Sequence, residues 1–355
     1  MQCLKPILWL AATPPDSYRL TFRHLAYYGV MSHSIQQRTI RTNGVDLVVT
    51  EAGDPNGPCI ILSHGFPESA HSWRHQMQPL ADAGYHVLAP DQRGYGFSSS
   101  PKNVTDYGVQ HLTGDLVGLL DATGHADATF VGHDWGALVV WEAGRLHPDR
   151  VNAICAVSVP FTPWPAKPTD LFKMMFTDRF FYMLYFQEVG PAEKELGADI
   201  RHTMHQFMWA ASGAMYKPGP TDLAELPPMA GTGFLDMFKD VPTHLPTWLT
   251  QEDLDYYVKQ FTNSGFFGPV SWYRNLDANY ELLKDIPIDR ISMPTFFIGG
   301  DKDAVIASRL DTIDAVNGLT PNYKGSVIIP GAGHWTQQEM PDEFNAAMMG
   351  FLKTL

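Results

Sequence analysis

Cysteine is scarce. The chain of 355 residues holds three, Cys3, Cys59 and Cys155. Three thiols spread over that length do not make the even, closely spaced framework that staples small secreted domains. Cys59 and Cys155 stand in apolar runs that read as buried strands, where a thiol packs as a small, inert hydrophobe. A reducing, cytoplasmic setting is the expectation. Long apolar runs are missing as well: no stretch approaches the roughly 18 uncharged apolar residues of a membrane helix. PILWLAA, residues 6–12, follows Lys5 like a signal peptide, but it is shorter than the usual apolar core and opens with proline. Positive charge is in deficit, with 25 Lys and Arg against 38 Asp and Glu, a formal net charge of −13. With no Lys/Arg run to offset it, backbone-driven nucleic-acid binding is excluded. There is no internal repeat, no low-complexity tract, no H-E-x-x-H and no cysteine cluster at metal-ligand spacing, so neither a metal nor a cofactor is expected.

What is present is an ordinary globular balance, 45% hydrophobic and 18% charged. The length suits one large α/β domain with an insertion. RTIRTNGVDLVVTEAG, residues 38–53, reads as two strands around an Asn43-Gly44 turn, the pair that supplies positive φ to a tight hairpin. Short apolar runs follow: CIILSH (59–64), HVLAPD (86–91), ATFVGH (128–133) and AICAVSV (153–159). Two more come late, TFFIGG (295–300) and SVIIPG (326–331). Helix-periodic stretches such as VQHLTGDLVGLLDATG separate the early runs. Continuous apolar strands alternating with helices indicate a parallel sheet covered on both faces. Between Val159 and Pro294 the alternation stops. A proline-rich exit, PFTPWPAKP, leads into aromatic and Met-rich segments that read as a helical cap. The expected division is an extension at 1–34, a core of 35–159 and 279–355, and a cap of 160–278. MSHS from Met31 would serve as an alternative start, and the Asn103 sequon matters only in a secreted protein.

The stretch FVGHDWGA, residues 130–137, carries the chemistry. Gly132 and Gly136 bracket a strand-to-helix turn with the spacing of a nucleophile elbow, but the central residue is Asp134 where serine is common. A simple N-cap is the competing role. His334 lies in GAGHWTQQ after the last apolar run. Asp303, in GGDKDAV, follows the preceding one, with Asp301 as its competitor. HGFPE (64–68) follows the third strand, where a backbone N–H would complete an oxyanion hole; Phe66 supplies it, and Trp135 the second. DQRGYGFSS (91–99) reads mainly as loop structure.

Together and in order, HGFPE, DQRGYGFS, GHDWG, YFQE, WYRN, KDAV and GHWTQ resemble the soluble epoxide hydrolases of the α/β-hydrolase fold. The resemblance runs from about Arg38 to the C-terminus, without the N-terminal phosphatase domain of the animal enzymes. YFQE is followed by Val189-Gly190-Pro191 rather than Pro-Gly, a departure confined to a cap loop. The resemblance implies a mostly parallel eight-stranded sheet flanked by helices with an inserted helical cap. It also implies the chain order nucleophile, acid, histidine: Asp134, Asp303, His334. It further implies two lid tyrosines that hold the epoxide oxygen, matched here by Tyr185 in LYFQE and Tyr273 in SWYRN.

An aspartate suits that chemistry. A carboxylate is already ionised at neutral pH and needs no base to attack a strained ring carbon. The ester it forms is hydrolysable, whereas the ether a serine would form is not. The expected substrate is a small epoxide, apolar and aryl or lipid-like. HDWG also occurs in haloalkane dehalogenases, and a non-catalytic binding protein on the same fold is the alternative outside enzymes. The tyrosine pair argues against the first and the completeness of the machinery against the second.

Overall fold

The computed structural model describes residues 34–217 and 223–355. The extension, the signal-like segment, the alternative start at Met31 and Cys3 fall outside the described residues, save Ser34 at the extension's end.

Strands β1 (Gln36–Thr42) and β2 (Val45–Ala52) form an antiparallel hairpin. Its turn is Asn43-Gly44, with φ of 42° and 79°. β3 (Cys59–Ser63), helix α1 (Arg74–Asp82), β4 (His86–Pro90), α2 (Val109–Thr123), β5 (Ala128–His133), α3 (Trp135–Leu146) and β6 (Val151–Val157) then alternate. Among the described residues seven α-helices follow without a strand: α4 (Pro168–Met175), α5 (Tyr182–Tyr185), α6 (Pro191–Ala198), α7 (Ile200–Ala210), α8 (Gln251–Ser264), α9 (Phe267–Arg274) and α10 (Leu276–Leu283). The core resumes with β7 (Thr295–Gly300), α11 (Ile313–Asn317), β8 (Tyr323–Ile329), α12 (Thr336–Glu339) and α13 (Pro341–Leu352).

The sheet has eight strands in the order β1-β2-β4-β3-β5-β6-β7-β8. β2 runs antiparallel to both β1 and β4, and every pairing from β4 to β8 is parallel. Every residue of β3, β4 and β5 is buried, as expected for strands covered on both faces. Alternate residues feed separate cores. Ile61 and Phe130 pack with α2, α3 and the cap; Ile60, Leu62 and Val131 pack with α1 and α13. The parallel arrangement puts the strand carboxyl ends along one edge, and the insertion after β6 lies over that edge. The cap is tied down there by Trp335 Nε1 donating to the Met208 carbonyl at 3.0 Å and by the His334 N–H donating to Ala211 at 2.9 Å.

Two strands start before their apolar runs do. β6 starts at Val151, which pairs with Ala128; the exposed Asn152 breaks the apolar run and is passed over in the register as a bulge before Ala153 pairs with Thr129. β8 starts at Tyr323, since exposed Lys324 and Gly325 at φ 110° hide a strand that already pairs with Thr295. The expected cap boundary at 278 falls inside α10.

Candidate active site

Loops after β5, β3, β7 and β8 carry Asp134, Phe66, Asp303 and His334 to the carboxyl edge of the sheet. Asp134 occupies the turn into α3 with φ 52° and ψ −119°. Such a backbone costs a non-glycine residue about 1–3 kcal/mol. Close packing enforces it. A Cβ on Gly132 would strike the Gly136 carbonyl, one on Gly136 would strike that of Ser63, and one on Gly65 would strike the Asp134 side chain. Although Asp134 stands at the N-cap position, its side chain makes no capping bond. Oδ1 instead accepts a hydrogen bond from the Phe66 N–H at 2.8 Å, which excludes the simple-cap role. Among the described residues the Trp135 N–H, at the first turn of α3, makes no hydrogen bond to the carboxylate.

His334 lies between two carboxylates. Its Nδ1 is 3.2 Å from both oxygens of the fully buried Asp303. Its Nε2 is 3.6 Å from Asp134 Oδ2, long for a hydrogen bond but short for charge coupling. Asp301 is occupied elsewhere, its Oδ1 accepting the Gly331 N–H at 2.7 Å.

The charges respond to this arrangement. Burial alone would lower the pKa of His334, but Asp303 and Asp134 overcome it and hold the pKa well above the usual histidine value. Burial would raise Asp134; His334, His133 and the Phe66 N–H outweigh it and keep this carboxyl below the ordinary range. Asp134 is therefore ionised at neutral pH.

Of the two tyrosines expected over the site, the structure brings only Tyr273 there. Its ring lies 4.9 Å from that of Trp135 and 5.5 Å from that of Phe66, both edge-on. Burial and then the Asp134 charge push its phenol well above the usual value. Tyr185 does not join it. Its hydroxyl donates to Glu195 Oε2 at 2.8 Å, and the charges acting on it are Glu195, Glu193 and Asp236 rather than Asp134. The phenol that faces the nucleophile is Tyr182, whose pKa is raised by burial and then by Asp134, and whose ring is 5.8 Å from that of Tyr273. The inward tyrosine therefore lies three residues before the one the resemblance implies. In the short α5, a shift of three residues moves a side chain roughly 4.5 Å along the axis and turns it by about 60°. YMLYFQE offers both tyrosines, and the letters do not say which points inward.

A second set of buried residues supports the site without standing out in the sequence. Buried His133 places Nδ1 2.6 Å from Glu68 Oε2 and Nε2 2.7 Å from the His334 carbonyl oxygen. Glu68 also accepts from the Gly65 N–H at 3.0 Å, Gln337 Nε2 at 3.1 Å and Gln338 Nε2 at 2.9 Å. One buried carboxylate thus ties the loops after β3, β5 and β8 together. Burial would raise its pKa, yet the neighbouring His133, the Gly65 N–H and His64 hold it below the ordinary range. The signal was the residues flanking the recognised ones in HGFPE, GHDWG and GHWTQQ. Gln187 Nε2 links the two tyrosine-bearing helices, donating to the carbonyls of Met183 at 2.7 Å and Tyr273 at 3.0 Å.

The walls over Asp134 are aromatic. Phe66, Phe186 and Tyr273 contact one another, and Phe207 and Phe234 extend the cluster. Among the described residues the group spaced to hold a metal is Cys59, His86 and His125. It lies at the start of β3 and β4, not at this edge.

Residues 58–341 match the α/β-hydrolase-fold family. Over 322 residues the chain is 49% identical to epoxide hydrolase A of Mycobacterium tuberculosis, covering 90% of this chain and 98% of that protein. The crystal structure of epoxide hydrolase A from Mycobacterium thermoresistibile superposes with a TM-score of 0.79 at 44% identity, over 90% of this chain and 98% of that one. The epoxide hydrolase from an endophytic Streptomyces gives a TM-score of 0.83 at 37% identity, over 90% and 95%.

Proposed function

Because this chain belongs to the epoxide hydrolases of the α/β-hydrolase family, we propose that it opens its substrate through a covalent ester on Asp134. The observation that carries this reading is the clustering of two phenols beside the nucleophile: the Tyr182 and Tyr273 rings lie 5.8 Å apart, the Tyr273 ring packs edge-on against Trp135 and Phe66, and the Phe66 N–H holds the Asp134 carboxylate. The phenols donate to the ring oxygen as Asp134 Oδ2 attacks a ring carbon from the far side. The C–O bond breaks, its electron pair takes a proton from one phenol, and solvent restores that proton. Oδ1 stays on the Phe66 N–H as the ester carbonyl oxygen, where it is placed to carry the later tetrahedral oxyanion, joined by the Trp135 N–H.

Esterification changes the base. It neutralises one of the two carboxylates that hold the proton on His334, so the histidine's pKa falls when a base is required. Oriented by Asp303, neutral His334 takes a proton from water, and the hydroxide attacks the Asp134 carboxyl carbon. The products are a vicinal diol and the original carboxylate. A departing halide needs no proton, so the phenol pair favours the epoxide over a haloalkane. The aromatic walls favour apolar substrates of aryl or lipid type, with the helical insertion as lid. The buried thiols of Cys59 and Cys155 suit a reducing, cytoplasmic setting.

A His334→Gln variant separates the two halves. It should alkylate and stop, so that intact mass shows enzyme plus one substrate. Full turnover, or no adduct with a folded protein, would contradict the scheme.

A further inference from the structure

The amino ends of the strands hold a second cluster of chemistry-bearing side chains. Cys59 opens β3 and His86 opens β4, and the two residues are register partners in adjacent parallel strands. Their side chains therefore emerge on the same face of the sheet. His125 arrives from the end of α2, where Gly124 at φ 81° turns the chain back and the His125 N–H bonds to the Leu120 carbonyl at 2.9 Å. The ligand atoms of the three residues all lie within 4.8 Å of one another. Five strand residues, roughly 16 Å, separate this cluster from the carboxyl edge.

We propose that Cys59, His86 and His125 bind a zinc ion, with water in the fourth position. One thiolate and two imidazoles form a tetrahedral zinc ligand set, and the sulfur argues against magnesium or calcium. The surroundings of His86 match what a metal-bound histidine requires. Its Nε2 faces Glu51 Oε1 at 2.7 Å, and Glu51 is held in turn by Arg38. A carboxylate behind the ring fixes the tautomer and leaves Nδ1 as the lone pair for the ion. That Nδ1 points at His125 Nε2, 2.7 Å away. Two imidazole nitrogens at this distance share a single proton; a cation in place of that proton uses both lone pairs. With zinc–nitrogen bonds of about 2.0–2.1 Å, tetrahedral angles set the nitrogens roughly 3.3 Å apart, so the pair must open slightly. His125 is the partly exposed member, and it supplies both the movement and the route from solvent. On binding, the Cys59 thiol proton leaves to water and the His125 proton moves to Nδ1. The Asp127 carboxylate, whose charge bears on Cys59 and His125, balances the added charge. Spacings of 27 and 39 residues kept this group from reading as a motif, since the register of β3 against β4 and the turn after α2 assemble it only in the fold.

The test is a titration of the chelator-stripped full chain with cobalt(II), the spectroscopic substitute for zinc. One equivalent should produce a near-ultraviolet thiolate-to-cobalt charge-transfer band that zinc displaces. Cys59→Ser should abolish the band, and His125→Ala should weaken binding at least tenfold; styrene oxide hydrolysis should be unchanged in both. If Cys59→Ser fails to fold, the partly exposed His125 decides. No band in the parent protein, a band surviving in Cys59→Ser, or undiminished affinity in His125→Ala would overturn the assignment.

Discussion

The rings of Tyr182 and Tyr273 lie 5.8 Å apart, one on α5 and one on α9, and both phenols feel the Asp134 charge. Tyr185, one helical turn from Tyr182, spends its hydroxyl on Glu195, which also accepts the N–H groups of Phe234 at 3.0 Å and Leu235 at 2.9 Å. One tyrosine of the motif faces the chemistry and the other fastens the cap.

Phenylalanine substitutions should separate these tasks. Removing one positioned donor costs about 10²-fold in kcat. Tyr182→Phe and Tyr273→Phe should each lose about that much, and the double variant more than either. Tyr185→Phe should keep kcat within about threefold and lose about 1 kcal/mol of stability from one broken hydrogen bond. Steady-state kinetics beside thermal melts of the four variants measure this.

The two loop aspartates should differ as sharply. Asp303→Asn leaves His334 without its orienting charge, and a drop of about 10⁴-fold in turnover is expected by analogy with the buried triad aspartate. Alkylation of Asp134 should survive, so the ester should accumulate. Asp301→Asn keeps an acceptor for the Gly331 N–H and should change kcat little. Rapid-quench kinetics on both variants distinguish them.

The pH response follows from linkage. His334 is raised in the folded state, so its contribution to stability is complete below the unfolded value of about 6.5 and fades as pH rises through the folded value. Asp134 is lowered, so its contribution is present above about 3.9 and fades as pH falls through the folded value. Asp134→Ala removes one of the two charges that hold the His334 proton. Its imidazole should titrate lower than in the parent, a shift that NMR of labelled histidine reads directly. The alkaline decline in stability should shrink with it.

Much of this was legible in the letters because local and global requirements coincide. Gly132 and Gly136 are needed wherever a strand turns sharply into a helix, so Asp134 declared itself. The apolar runs at Cys59, His86 and Ala128 read as covered parallel strands because their burial is continuous. His334 and Asp303 follow strands, and the resemblance carried by KDAV, not chain order, singled out Asp303 over Asp301. What stayed hidden depends on which way a side chain points. Tyr182 and Tyr185 share one motif, and only the packing of α5 against α6 and α9 separates them. Glu68 and His133 flank recognised residues, yet their joint task exists only once three loops meet. The Cys59–His86–His125 group is created by the register of β3 against β4 together with the turn that ends α2.

The covalent ester on Asp134 is the central claim, and oxygen tracing tests it most directly. In a single turnover in 18O-water with enzyme in excess, the label should be found in the carboxylate of the peptide containing Asp134, and the diol should be unlabelled. Label in the diol after that first turnover, with an unlabelled Asp134 peptide, would mean direct attack by water on the epoxide and would contradict the account.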